Sequence, residues 1–578
     1  MQDSYLKLEK SKDNYDIIKI KKDNKWIYIG SKYNMKNELE SFENQIDDKN
    51  EKKLTFLIFG FGAGEHIKML REKYEESILK IFEPNEYIFE YAMNLEFVKN
   101  DSKILIEKCD NKAIADLHKI NIDFLDEFDM TKIKILSFSN YSKVYDKEYL
   151  YILKEIESKC VDLKVNRNTK ILFNERWFVT LNKNIPYMVN SVLFDNYQNK
   201  YKDKPAIIVS AGPSLDKNVD LLKGIEENFM IIAGGRPLKG LVEKEIKPGL
   251  IVVLDPVDKN YEMMKGSIEE TNIPLLFFEV TNEKVTANHK GYKMFSTYAQ
   301  FIQKAINREI HELPSYGSVA HSSVSAAILL GCNPIIFIGQ DFAYTNDRAH
   351  SPYLEEKHNE NDVEEVKNNG DIYVEDVNGN KVRTSRVLNL YRLGMEKIIK
   401  ANPKTKFINA TEGGARIFGT DEMTLKEVIK RYGGSHVEKF EELKPEKNFK
   451  NNVIDELEKT IDILKEIRSK CKKADEYVNI LKKPINDIMT NKLLNELDEI
   501  DTYIKSQINN FSMIESLLYP IIYNVLTDNS INKAKNEKEK KKIILNQSKK
   551  LYQYFINTIN ENLEMIEDTL SKIEKNDK

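Results

Sequence analysis

The sequence predicts an α/β protein of three domains, and three observations carry that prediction. Two stretches, one near 54–83 and one from 206 onward, alternate short apolar runs with glycine-bearing turns and helical segments, the pattern of parallel sheets with crossover helices. The chain of 578 residues is too long for one hydrophobic core. Beyond residue 437 the strand signal stops and apolar residues recur at helical spacing. The expected parts are a Rossmann-like N-terminal domain over 1–165, a central α/β domain over 166–436 and an all-α C-terminal domain over 437–578.

The N-terminal part opens with alternating segments at 16–20 and 25–29 that read as paired strands. A strand at 54–59 then runs into Gly60-Phe61-Gly62-Ala63-Gly64 and a helix from about Glu65, and the next strand, 77–82, ends at Glu83-Pro84-Asn85. An acidic residue about twenty positions after such glycines can accept both hydroxyls of a ribose. The turn also resembles the nucleoside turn of S-adenosylmethionine-dependent methyltransferases, yet no catalytic set for a methyl acceptor accompanies it. A scaffold that has lost its ligand, or one that holds a protein partner, is the other reading.

Central strands are expected at 206–209, 229–233, 250–254, 275–279 and 335–338, with 404–409 as a further candidate, and the polar stretch 355–381 reads as a loop or lid. In the C-terminal part Ile454, Leu457, Ile461, Leu464 and Ile467 share one helix face, and Leu494, Leu497 and Ile500 another. Breaks fall at Pro484 and at Asp528-Asn529-Ser530, and the charge run from Glu537 to Lys542 reads as a solvated helix face.

Bulk properties narrow the function. With 88 basic and 92 acidic side chains the net charge is −4, so no global field favours nucleic acid or an anionic membrane. Cys109, Cys160, Cys332 and Cys471 lie far apart without metal-ligand spacing and read as reduced thiols. The first residues lack the basic and apolar regions of a signal peptide, and no apolar run is long enough to cross a bilayer, so the expected location is the cytoplasm without membrane insertion.

Small polar groups cluster where the central strands end. Ser210-Ala211-Gly212-Pro213-Ser214-Leu215-Asp216 follows the first strand; its amides and the Ser214 hydroxyl suit a phosphate, and a plain strand-to-helix turn is the structural alternative. Gly234-Gly235 follows the second strand, and Asp255-Pro256 the third, where the carboxylate can meet ribose or base or simply close an Asx turn. Gly317-Ser318 precedes a small-residue helix containing Ser322, whose first turn can hold a phosphate or serve close packing. After the strand at 335–338 come Gly339-Gln340-Asp341-Phe342-Ala343-Tyr344 and then His350, a candidate general base with an ordinary pKa near 6.5. His321, at the start of an apolar helix, reads as a capping or packing residue. No Asp-x-Asp pattern appears; Asp255-Pro256-Val257-Asp258 is the nearest, so no metal site is assigned.

Taken together, these segments resemble the motility accessory factor (Maf) family of flagellin-modifying glycosyltransferases. The resemblance rests on Arg176-Trp177 through Asn184, on Lys204-Pro205 through Leu215, on Gly317-Ser318-Val319-Ala320 and on Ile338 through Tyr344. The central part is similar, more distantly, to bacterial sialyltransferases with a GT-A-like fold that open on a Gly-x-Gly-Pro-Ser-Leu turn. Here Ser210-Ala211-Gly212 lacks the first glycine, Gly234-Gly235-Arg236 stands where an Asn contacts the nucleotide, and Asp255 replaces another Asn. The resemblance implies transfer of a pseudaminic, legionaminic or sialic type sugar from CMP to Ser or Thr hydroxyls of flagellin, with no cofactor or metal. In that chemistry the turn at Gly212, Pro213, Ser214 and Leu215, the Gly234-Gly235 and Asp255-Pro256 turns, and Gly317, Ser318 and Ser322 bind the donor. His350, Asp341 and Tyr344 are the catalytic candidates. The central part also resembles an archaeal pterin pyrophosphokinase, and a non-catalytic flagellin chaperone or adaptor is a third reading.

Overall fold

The computed structural model describes residues 5–47, 53–110, 120–125, 130–351, 366–370, 372–526 and 536–575. The chain divides into two compact units, 1–172 and 173–578, the division falling within the long helix Asp146–Met188.

In the first unit β1 (Leu6–Lys10), β2 (Asp16–Lys22) and β3 (Lys25–Ile29) form an antiparallel meander. A parallel sheet follows, made of β4 (Thr55–Phe59), β5 (Ile78–Glu83), β6 (Ile104–Lys108) and β7 (Ile133–Ser137) in the order β6-β5-β4-β7. This is half of a doubly wound sheet, as the glycine turn after β4 predicts. All five residues of β4 are buried, the reason it reads as a continuous apolar run rather than an alternation.

The second unit is built on a nine-stranded parallel sheet in the order β18-β17-β14-β9-β10-β11-β12-β13-β8. Its members are β8 (Val192–Leu193), β9 (Ala206–Val209), β10 (Met230–Gly234), β11 (Leu250–Val253), β12 (Leu275–Phe278), β13 (Lys293–Ser296), β14 (Ile335–Ile338), β17 (Phe407–Asn409) and β18 (Asp421–Glu422). Alternation along β9 sends Ile207 and Val209 into one core layer and Ala206 and Ile208 into the layer that receives the helices Val319–Leu329 and Arg386–Ala401.

The polar stretch expected to be one loop contains an antiparallel hairpin, β15 (Ile372–Glu375) and β16 (Lys381–Thr384); positions 352–365 and 371 lie outside the described residues. The helical region after 437 shares a core with the sheet rather than standing as a third body. Phe449, Val453, Leu457, Ile461 and Leu464 join Phe277 and Phe295 in one apolar cluster, with Phe449 stacked on Phe295 at 5.4 Å. Long helices run over Phe449–Leu481, Asp487–Asn510, Ser512–Leu526 and Glu537–Lys575. The break at Pro484 separates the first two, and that at 528–530 lies outside the described residues. In the second stripe Leu497 and Ile500 are buried, but Leu493 takes the inward place assigned to Leu494.

Candidate active site

Strand order places the site. From β9 the chain winds through β10 to β13 on one side and then returns to lay β14 on the other, so the topological switch point lies between the carboxyl ends of β9 and β14. A cleft of about 300 Å³ opens there, lined among others by Ser210, Arg236, Asp255, Ser318, Gln340 and His350. Gly212, Gly234, Gly235 and Asp341 also face it.

The turn after β9 is spent on the fold, which corrects its assignment as a phosphate cradle. The Gly212 amide donates to the Gly339 carbonyl at 2.8 Å, and the Leu215 amide to the Gly212 carbonyl at 3.1 Å. The Ser214 amide and hydroxyl both go to Asp341, the hydroxyl at 2.6 Å from Oδ1, while Thr345 Oγ1 donates to Oδ2 at 2.5 Å. Pro213, Ser214 and Leu215 are buried, and none lines the cleft. Gly212 is required by close approach: a Cβ there would stand 2.1 Å from Asp341 Oδ1 and 2.5 Å from the Gly339 carbonyl. Asp341 is therefore a bracket between β9 and β14. Burial raises its pKa against the lowering effect of its donors, and a carboxylate so engaged is not a free base.

His350 does face the cleft. Its loop is pinned because the Ser351 amide donates to the Ala211 carbonyl at 3.0 Å and the Ser351 hydroxyl to Asp216. Burial, aided by the positive charges of Arg236 and Lys259, lowers the His350 pKa to about 3. The ring thus titrates below the ordinary range expected for it and is neutral at pH 7. Asp255 is exposed at the cleft; desolvation by the surrounding protein raises its pKa, opposed by a hydrogen bond from Asn260 and the charge of Arg236.

Ser318 caps the helix Val319–Leu329, accepting from the Ala320 amide, and the first turn of that helix lines the cleft. The positive end of the helix dipole and the Arg236 guanidinium therefore act on one space, a combination that suits an anion. Arg236 appeared in the sequence only as a departure from a motif; its charge beside two glycines at a strand end was the available signal.

The remaining candidates lie elsewhere. Gly317, at φ +83°, packs against Tyr391, and Ser322 is fully buried in its helix; neither lines the cleft. Pro256 instead offers its carbonyl to Arg176 Nε and Asn282 Nδ2, each at 3.0 Å, which anchors the loop that carries Asp255. Tyr344 is buried away from the cleft, its amide donating to the Arg383 carbonyl at 2.9 Å. His321 is a packing residue whose ring nitrogens meet the Ser315 and Tyr391 carbonyls at 2.6 and 2.8 Å.

The glycine turn of the first unit is filled from within. Glu83 accepts from the Phe61 and Asn85 amides and from the Tyr141 hydroxyl, all at 2.8 Å, and that hydroxyl accepts from the Gly62 amide at 2.8 Å. The Tyr141 ring leaves no space beside Gly60, where a Cβ would lie 2.3 Å from it. Glu83 therefore spends on the fold the acceptors a ribose would use.

Residues 180–347 match the protein family described as 6-hydroxymethylpterin diphosphokinase MptE-like. The fold is similar to that of a solved MAf glycosyltransferase from Magnetospirillum magneticum AMB-1, with a TM-score of 0.57 and 13% identity over 99% of this chain and 94% of that one. No curated protein sequence matches the chain. The resemblance read from the sequence thus extends to the fold over almost the whole length. Among the described residues no helix is long and apolar enough to cross a membrane.

Proposed function

We propose that the cleft binds a CMP-activated nonulosonic acid of the pseudaminic, legionaminic or sialic type and transfers the sugar to Ser or Thr hydroxyls of flagellin in the cytoplasm. The observation that carries this reading is the convergence of Arg236, the helix start at Ser318, Asp255 and His350 on one cleft at the switch point. The likeness to a MAf glycosyltransferase supports it. In the reaction the bond between the anomeric carbon and the phosphate oxygen breaks, its electron pair leaving with CMP. Arg236 and the helix dipole stabilise that charge. The acceptor hydroxyl attacks the oxocarbenium-like carbon, and its proton passes to the His350 imidazole, which is neutral and able to accept it. A phosphate bound nearby offsets the charge of Arg236, one of the effects that add to burial in lowering the ring's pKa, and so favours proton uptake. Asp255 accepts from ribose or base hydrogens.

Calorimetry with CMP, UMP, AMP and GMP, followed by mass spectrometry of flagellin co-expressed with this chain and a nonulosonic acid pathway, tests the reading. Preferential CMP binding and a nonulosonate mass increment on flagellin are expected, both unaffected by EDTA. Absence of cytidine preference and of any increment overturns it. The match to the pterin diphosphokinase family favours a second reading, pyrophosphoryl transfer from a nucleoside triphosphate with Mg²⁺. Formation of a pterin diphosphate, dependent on ATP and abolished by EDTA, would decide for it.

A further inference from the structure

Gln340 stands at the end of β14, at the switch point itself, with only 7% of its surface exposed and that portion facing the cleft. The Ser210 hydroxyl, at the end of β9, donates to Gln340 Oε1 at 2.6 Å. That separation suits an O–H···O bond and is shorter than an ordinary N–H···O bond, so the atom Ser210 holds is the amide oxygen. The Gln340 backbone amide donates to Thr411 Oγ1 at 3.3 Å, which ties the residue to the neighbouring strand end. The side-chain nitrogen has no partner among the described residues. A mostly buried amide whose carbonyl is engaged and whose residue is reached by solvent from a ligand-sized cleft offers its NH₂ as a donor that a ligand acceptor can take over from water.

We infer that Gln340 is a specificity-determining residue, fixed by Ser210 as a hydrogen-bond donor that selects a ligand presenting an acceptor oxygen or ring nitrogen at the cleft floor. The inference rests on the proposed reading of the cleft as a cytidine nucleotide site. Two parts of that ligand have the required chemistry: the acceptor edge of the base, and the phosphate oxygens. Ser210 acts through Gln340 and is a positioning residue.

The test is calorimetric titration of the full chain and its variants with CMP and with cytidine at several pH values, each variant's affinity expressed relative to the parent at the same pH. Gln340→Glu replaces the donor with a carboxylate of the same length. At pH 7.5 it should weaken CMP on the order of 10- to 100-fold. As the pH falls to 5 the loss should shrink, because a protonated carboxyl again donates to the ligand while accepting from Ser210. Gln340→Met removes the donor and should give a loss that no pH change repairs; it also carries the test if Gln340→Glu does not fold. Ser210→Ala should weaken CMP less than either. Equal loss for cytidine and CMP places the acceptor on the base, and loss confined to CMP places it on the phosphate. Parent-like affinity in Gln340→Met, or a Gln340→Glu loss that acid does not relieve, overturns the inference while leaving the cytidine site standing. Failure of the parent to bind either probe overturns the reading of the cleft and this inference with it.

Discussion

Ser214 and Asp341 join the turn after β9 to the end of β14 through a hydroxyl-to-carboxylate bond of 2.6 Å, and the rest of that turn is arranged around the pair. Gly212 passes so close to Asp341 that a hydrogen is all its α-carbon can carry on that side. The Asp341 backbone carbonyl meanwhile accepts from the Ala415 amide at 2.7 Å, tying in the chain after β17.

Gly212→Val should therefore lower stability and nucleotide affinity together. Overpacking at a backbone-to-carboxylate contact costs about 2 kcal/mol or more, and the bracket that holds the cleft wall moves with it. Thermal unfolding and CMP calorimetry on the same samples check this. Unchanged melting with lost binding would return the turn to the role of a phosphate cradle. Asp341→Ala should show the same coupled loss, of about 3 kcal/mol, because it strands the Ser214 and Thr345 donors.

The site and the fold were legible in the sequence to different depths. Runs such as Ala206–Val209 and Ile335–Ile338 are buried on both sheet faces, so composition alone marks them as strands. β8, with two residues, and β13, with a lysine and a serine at its ends, carry too little apolar signal to stand out. Small polar residues at strand ends located the cleft, because chain order fixes which ends meet there. Their individual roles stayed hidden because Ser214 and Asp341 satisfy each other across 127 positions, a pairing no local pattern encodes. The same holds for Tyr141, which fills the Gly60–Gly64 turn from 79 positions beyond Gly62.

His350→Ala should lower transfer by roughly 10²- to 10⁴-fold with CMP affinity little changed. The His350 pKa, depressed to about 3, sets the sign of the pH effects. Between about 3 and its unfolded value of 6.5 the unfolded chain binds the extra proton. This residue's contribution to stability is therefore present above 6.5 and lost as the pH falls through 3. Without nucleotide the His350 ring resonances, followed by NMR, should stay unshifted from pH 8 to 5. A free-protein midpoint near 6.5 would contradict the burial of this ring.

Tyr141→Phe should loosen the glycine turn of the first unit by about 1–3 kcal/mol, since it orphans the Gly62 amide and removes a donor from Glu83. Burial raises the Glu83 pKa from 4.5 to about 7. The native state thus holds its proton more tightly between those values, and the unit loses stability as the pH rises through them, on the order of 3 kcal/mol in full. Hydrogen exchange at the Phe61 and Gly62 amides, corrected for intrinsic rate, should show less protection at pH 8 than at pH 5.5, and less again in Tyr141→Phe. Protection independent of pH would place Glu83 outside this balance.

The C-terminal helices should prove inseparable from the sheet. Their apolar stripe is occupied: Phe449 stacks on Phe295, Lys304 pairs with Glu456 at 2.8 Å, Asn452 Nδ2 donates to the Ala305 carbonyl at 2.8 Å, and Thr569 Oγ1 donates to the Asn182 carbonyl at 3.2 Å. The ion pair is half open to water and contributes little; the apolar cluster carries the attachment. Phe449→Ala should cost about 3–5 kcal/mol, with no cost specific to flagellin binding beyond the fraction unfolded. Removal of 451–578 exposes the sheet face that bears Phe277 and Phe295, and should yield aggregated protein rather than a CMP-binding fragment. A soluble truncated protein that binds CMP like the parent but no longer captures flagellin would overturn this assignment and make the helices an acceptor-recognition module. Phe449→Ala separates the outcomes independently, because a packing role lowers the melting temperature of the full chain whereas a recognition role leaves it unchanged.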